Sequence, residues 1–151
     1  MHIICNPPEL AVKQLLLDAQ LPIEDITPAH LEHFFGVWSG QCLEGVIGLQ
    51  PYGSFALLRS LAVRVVRRGS GLGSELLGSA ERYAVQKGVS SIFLLTTTAK
   101  PYFEKYGYTQ IARESVPLVI RATSQFSSIC PTSATAMRKY VAANGAPTPE
   151  D

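Results

Sequence analysis

The densest chemistry in the sequence lies in Arg67-Arg68-Gly69-Ser70-Gly71-Leu72-Gly73, a basic, glycine-rich stretch. Glycines let a backbone approach an anion closely, and loop amides with a helix N-terminus supply positive ends. The string lacks the GxxxxGK of a nucleoside-triphosphate loop. It also fails the GxGxxG fingerprint, because Gly71 and Gly73 are followed by Ser74-Glu75-Leu76. What remains, Arg68-x-x-Gly71-x-Gly73 between a strand and a helix, suits a diphosphate, with Arg67 adding charge. The competing reading is a tight turn without a ligand.

Arg59-Ser60 interrupts an otherwise apolar run. A buried arginine needs a partner. One reading is a salt bridge to a protein carboxylate. The other is a planar, bidentate clamp for a substrate carboxylate. Thr96 and Thr97 offer hydroxyls at the end of a second apolar run, or simply fill a strand. Tyr102 and Tyr106, four apart, share a helix face, and Phe103 lies about 100° round from Tyr102. Residues 54–63 contain no acid, so Glu32, Glu44, His30 and His33 are the nearby candidate bases. None stands out, and a water relay serves as well.

Metal and covalent chemistry are not expected. His30 and His33 lack a third ligand. Cys5, Cys42 and Cys130 are widely spaced, with no CxxC, and each reads as a small buried residue of a reduced, cytoplasmic protein. Nothing suggests a Cys–His or Ser–His nucleophile.

These groups must be positioned by one domain. The chain has 151 residues, 46% hydrophobic, with 17% charged and a net charge of +1. That balance disfavours a nucleic-acid binder and a disordered chain. No apolar run is long enough to span a bilayer, and no signal peptide is read at the N-terminus.

Residues 3–5 suit a first strand. Pro7-Pro8 opens a helix that buries Leu10, Ala11, Leu15, Leu16 and Ala19, and Leu21-Pro22 ends it. A short helix fits residues 28–33. Residues 34–38 and 42–49 form a hairpin around Ser39-Gly40, and residues 55–66 a long strand after the turn at 51–54. After the glycine loop, Leu72, Leu76, Leu77, Ala80, Tyr83 and Ala84 mark an amphipathic helix closed by Gly88. A strand at 91–97, a short helix at 99–106 and a strand at 108–113 follow. Residues 114–133 stay open between helix and loop, and 134–141 between strand and helix. The domain is taken as residues 1–143, with 144–151 a frayed tail. The class is α+β with a mixed sheet. Phe34 and Phe35, if exposed, permit a homodimer beside a monomer.

The string LRSLAVRVVRRGSGLGSELLGSAERYAVQKG resembles the central motif of the GNAT N-acetyltransferases, a strand of LxV type followed by [Q/R]xxGx[G/A] and a long helix. Arg68, Gly71 and Gly73 match it. Ala99-Lys100-Pro101-Tyr102-Phe103-Glu104-Lys105-Tyr106-Gly107-Tyr108 resembles the family's AxxFYxxxGF junction. The resemblance implies a mostly antiparallel twisted sheet flanked by helices, with central parallel strands splayed to admit acetyl-CoA. It seats the pyrophosphate on Arg68, Gly69, Ser70, Gly71, Leu72, Gly73 and Ser74. The pantetheine follows the backbone of Leu61, Ala62, Val63 and Val65, with Phe103 beside it. A strand amide polarises the thioester. The family's tyrosine acid falls on Phe103, which leaves Tyr102 as the neighbouring candidate and Thr97 as another. The family's strand glutamate has no counterpart.

Leu95-Thr96-Thr97-Thr98-Ala99 with Tyr102-Phe103 resembles the LTTxTxxWF stretch of N-acetylglutamate-synthase-type domains. LRSLAV, TTTA and the spacing from Ile111 through Cys130-Pro131 to Met137 resemble the arsenic-resistance N-acetyltransferases. These likenesses imply direct acetylation of a small amino-acid amine, with Arg59, Ser60, Thr96 and Thr97 on the acceptor. An arsinothricin- or phosphinothricin-type antibiotic is the specific expectation. Glutamate and a peptide amine are the alternatives, and Arg121 or Arg113 is a candidate for the distal anion. A non-catalytic acyl-CoA-binding module is the reading from another class. No metal, nucleic-acid or membrane partner is expected.

Overall fold

A computed structural model describes residues 2–129 and 133–141, with side-chain surroundings from 2 to 127 and from 133 to 141. Among the described residues, seven strands form one sheet in the order β1-β2-β3-β4-β5-β7-β6. They are β1 (His2–Cys5), β2 (Phe34–Ser39), β3 (Cys42–Tyr52), β4 (Phe55–Val63), β5 (Ser91–Thr96), β6 (Thr109–Ile111) and β7 (Thr135–Tyr140). The helices are α1 (Glu9–Asp18), α2 (Pro28–Leu31), α3 (Leu72–Gln86), α4 (Lys100–Lys105) and α5 (Leu118–Arg121). Contacts group the chain into two units. One comprises Met1–Gln50 and Leu58–Tyr83, the other Pro51–Leu57 and Ala84–Asp151.

In the first unit β1 and β2 are antiparallel, as are β2 and β3. The first four residues of β2 and residues 43–50 of β3 are buried, and both strands read as apolar runs, broken in β3 only by the buried polar Glu44 and Gln50. That is the pattern of a strand covered on both faces. The core gathers Val12, Leu15 and Leu16 of α1 with Ile26, Leu31, Phe34, Leu43, Val46 and Ala62. Phe34 and Phe35 are buried within the protomer and offer no apolar surface for a dimer. Leu10 belongs to the other stripe of α1. It is 85% exposed, and Leu17, seven residues on, is 54% exposed. The buried stripe follows the i, i+3, i+4 spacing from Val12.

The second unit is built on β5. Its parallel ladder with β4 covers only Phe55–Ser91, Ala56–Ile92 and Leu57–Phe93. β7 pairs antiparallel with β5 along its length, and β6 pairs with β7. Leu57, Phe93, Val116, Ile120, Phe126 and Ala136 form its core. The open segment 134–141 resolves as a strand. Residues 113–129 hold a 3-10 turn (Arg113–Ser115), α5 and a π turn (Gln125–Ile129).

Two expectations shift at strand ends. β3 continues through Pro51-Tyr52, so the turn is only Gly53-Ser54. β4 stops at Val63, and Val65–Arg67 form a 3-10 turn with Val65 and Val66 71% and 73% exposed. Apolar, β-branched residues suggested strand there, but the loop geometry overrides propensity.

Gly48 stands opposite Phe34 in the β2–β3 ladder. A methyl group there collides with Cε1 and Cζ of the fully buried Phe34 ring. Gly48→Ala is expected to cost about 1–3 kcal/mol, read as a lower thermal midpoint by circular dichroism. An unchanged midpoint would show that the Phe34 pocket yields freely.

Candidate functional site

The glycine loop is held from beneath by charge. Glu44, on β3 with its side chain 4% exposed, sits 2.9 Å from Arg64 Nη1 and 3.4 Å from Arg67 Nε. The Arg64 amide also donates to the Glu44 carbonyl at 2.8 Å. Burial pushes the Glu44 carboxyl up, but hydrogen bonds and charge from Arg64 and Arg67 outweigh it, and the group lies below the ordinary carboxylate value. Glu44 is therefore engaged as an anchor, which removes it from the candidate bases.

Above this anchor the chain turns tightly. Arg67 donates to the Arg64 carbonyl, Arg68 to Val65, and Ser70 to Arg67. Gly69 and Gly71 take φ of 80° and 90°, conformations that L side chains resist, and an added Cβ would meet open space. The fit to glycine is thus set by backbone conformation. Ser74 Oγ bonds the Gly71 carbonyl at 3.0 Å. Leu72, Gly73 and Ser74 are the first residues of α3, whose amides have no intrahelical acceptor. Arg68 is exposed and its Nε reaches the Val63 carbonyl at 3.4 Å. A cleft of about 310 Å³ lies beside the loop, lined by Leu15, Asp18 and Ala19 of the α1 end and by residues 63–66 and Arg68. Of the expected cofactor residues, Leu61, Ala62, Val63, Val65 and 68–74 fall within the single segment 61–74. Ala62 and Leu72 turn their side chains into the core, which leaves only their backbone accessible.

Arg59 corrects an expectation. Its side chain has no exposure, and Nη1 and Nη2 meet the two Asp25 carboxylate oxygens at 2.5 and 2.7 Å. Nη1 also donates to Gln50 Oε1 at 2.9 Å, Nε to Ser60 Oγ at 2.9 Å, and the guanidinium lies 6.0 Å from the Phe34 ring centre. The bidentate carboxylate is Asp25, from the loop between α1 and α2, and none is left to clamp. Sequence reasoning missed Asp25. The one available signal was that a buried arginine demands an acid, and the loop's irregular composition did not say which.

In the second unit, Thr96 spends its hydroxyl on the Ala99 amide at 2.9 Å, where it opens α4. Thr97 lies exposed after β5. Phe103 is buried, with its ring 5.6 Å from Tyr108 and 5.3 Å from Tyr102. Tyr102 and Tyr106 are 5.1 Å apart. The Tyr102 hydroxyl is buried and has no hydrogen-bond partner among the described residues. Burial first, and then Tyr106, raise it above the ordinary phenol value. Arg113 donates to the Ala134 carbonyl, and Arg121 Nε to the Val116 carbonyl. Among the remaining candidate bases, His33 meets Tyr83 at 2.6 Å and Glu32 is exposed. Cys5 and Cys42 are free and exposed rather than buried, since both sit at strand ends. Cys130 lies outside the described residues. Among the described residues no group of three or more His, Cys, Asp or Glu could hold a metal ion. No described helix is long and apolar enough to cross a membrane.

Residues 5–108 match the acetyltransferase (GNAT) family. An uncharacterized N-acetyltransferase of Chlorobaculum tepidum is 31% identical over 96 residues, which cover 63% of this chain and 61% of that protein. The structure of N-acetylglutamate synthase from Neisseria gonorrhoeae, complexed with coenzyme A and L-arginine, gives a TM-score of 0.78 at 17% identity, over 93% of this chain and 33% of that one. A Mycobacterium tuberculosis protein in complex with CoA gives 0.77 at 15% identity, over 94% of this chain and 100% of that one. The chain thus spans less than two thirds of the curated relative and a third of the synthase. The solved structures share its fold, the mixed and mostly antiparallel sheet flanked by helices.

Glu44 makes stability pH-dependent with a defined sign. A carboxyl lowered by folding stabilises above its unfolded value, near 4.5, and loses that contribution as pH falls through the lower folded value. The midpoint difference between the parent and Glu44→Gln should therefore stay constant from pH 8 to 5 and narrow below 4.5. A difference that widens in acid would reverse this assignment.

Proposed function

The chain belongs to the acetyltransferase (GNAT) family, and on that premise we propose that it transfers the acetyl group of acetyl-CoA to the amine of a small amino-acid-like molecule. The observation that carries this reading is the loop from Val63 to Ser74. It combines two left-handed glycines, the free amides at the start of α3, and Arg68 exposed beside them. A diphosphate fits such a cradle. The backbone of Leu61, Ala62, Val63 and Val65 then follows on for the pantetheine.

Transfer is direct. The amine nitrogen attacks the thioester carbon, the C–N bond forms, and the C–S bond breaks. The amine loses its proton to water, and the coenzyme leaves as a thiolate whose pKa is near ~8.5, so it departs readily. Tyr102 is the proposed acid for that thiolate. Its hydroxyl is buried without a partner among the described residues and, with its pKa raised by burial, stays protonated through neutral pH. Phe103, at the family's tyrosine position, has no proton to give. Thr97 is exposed and kept only as a neighbour of the acceptor.

The acceptor is proposed to be an arsinothricin- or phosphinothricin-type amino acid. Arg59 being closed, the distal anion falls to Arg121, which is exposed and uses Nε on Val116. Its two terminal nitrogens have no partner among the described residues. Glutamate is the second reading, favoured by the fold shared with N-acetylglutamate synthase. Free, exposed Cys5 and Cys42 support work in the reducing cytoplasm.

Free-thiol release from acetyl-CoA with a panel of amines tests this. Fast release with one anionic amino acid, and a KM for it raised about tenfold or more in Arg121→Ala, is expected. Binding of acetyl-CoA without release to any amine would favour a non-catalytic carrier. Gly71→Ala should weaken acetyl-CoA binding in calorimetry, because its φ of 90° suits no side chain. Tyr102→Phe should lower kcat about tenfold or more, evenly between pH 6 and 9, with KM unchanged. An unchanged kcat would leave protonation to water.

A further inference from the structure

A left-handed residue inside a strand is an outlier that marks a use. Ser60 has φ of 60° in the middle of β4. In a regular strand Arg59 and Ser60 point to opposite faces. The left-handed turn swings the Ser60 hydroxyl round to Arg59, whose Nε donates to Ser60 Oγ at 2.9 Å. Asp25 and Gln50 in turn fix the guanidinium. The hydroxyl is therefore held as an acceptor on one side. Its own proton has no acceptor among the described residues, and Ser60 is only half-buried.

Ser60 also lies on the stretch of β4 that its parallel neighbour leaves free. The ladder between β4 and β5 ends at Leu57, so the backbone from Leu58 to Val63 takes no part in it. A strand rises about 3.3 Å per residue, so Ser60 stands about 10 Å back along β4 from Val63, where the strand ends and the chain turns toward the glycine loop. A pantetheine arm laid along this stretch from the loop runs toward Ser60.

Resting on the acetyl-CoA reading above, we propose that Ser60 Oγ–H hydrogen-bonds the carbonyl oxygen of the bound thioester, with Asp25, Arg59 and Gln50 as its positioning residues. As the amine nitrogen bonds to the carbonyl carbon, the carbonyl electron pair moves to oxygen. Ser60 holds that oxyanion and keeps its proton. The pair returns as the C–S bond breaks and the thiolate leaves.

Acetyl-CoA carrying a 13C carbonyl, bound to the full chain, reports this bond directly by infrared spectroscopy. The bound carbonyl stretch should lie below that of free acetyl-CoA and move back up in Ser60→Ala. Binding affinity should stay within about twofold, and kcat should fall about a hundredfold, as on loss of one oxyanion donor. Ser60→Gly removes the hydroxyl and the backbone strain together. The strain it relieves offsets part of the loss at Arg59 Nε, and it should show the same spectral change, which separates the hydroxyl from the turn. Asp25→Asn should shift the carbonyl part of the way. An identical stretch in the parent and both Ser60 variants, with acetyl-CoA bound, overturns this role and leaves the acetyltransferase reading intact. No binding of acetyl-CoA by the parent overturns both.

Discussion

A guanidinium sealed from water must have its charge answered on the spot, and in this chain the answer at Arg59 joins four pieces of backbone. Asp25 comes from the loop after α1, Gln50 from β3, Ser60 from β4 itself, and the Phe34 ring of β2 lies close by. Removing one partner from such a pair costs about 3–5 kcal/mol, because the remaining charge is stranded. The pair therefore fixes where the α1–α2 loop lies against the first sheet unit. It also sustains a left-handed serine that isolated chain would rarely adopt.

The same device appears at the end of β4, in a wetter setting. Glu44 is buried, but Arg64 and Arg67 are partly exposed, so the cluster is open to solvent on the side of the loop. One acid here restrains two bases and fixes the path of the chain into the glycine turn. The two ion clusters bracket residues 60–64, the stretch on which the coenzyme reading depends. Both use an acid outside β4 to hold an arginine on or just beyond it.

Much of this was legible beforehand, for identifiable reasons. Periodicity located α1, α3 and the strands, and the glycine spacing after Val63 marked the loop, because few backbones need φ > 0 twice within three residues. Periodicity failed where one residue type serves two ends. Val65 and Val66 look like strand yet sit exposed in a 3-10 turn, and Leu10 looks like core yet faces water. The partner of Arg59 was illegible for a different reason. Asp25 lies 34 residues away in a segment without period, and long-range charge pairing leaves no local mark. Cysteine burial misled as well, since average preference says nothing about a residue placed at a strand end. The unpartnered Tyr102 hydroxyl emerged only from packing, because neighbouring tyrosines in sequence carry no sign of which one is sealed.

The strand order of the second unit carries a consequence for synthesis. β7 is made last among the seven yet lies between β5 and β6. While the ribosome is still adding residues 112–134, β6 has no strand to pair with, and β5 lacks its antiparallel neighbour. An unpaired edge at that stage invites pairing with another nascent chain. β6 is only Thr109–Ile111, short and largely polar, which makes it a poor template for such misassembly. β5, rich in Ile and Leu with a Phe, has no such guard, and its β7 side stays open until β7 arrives.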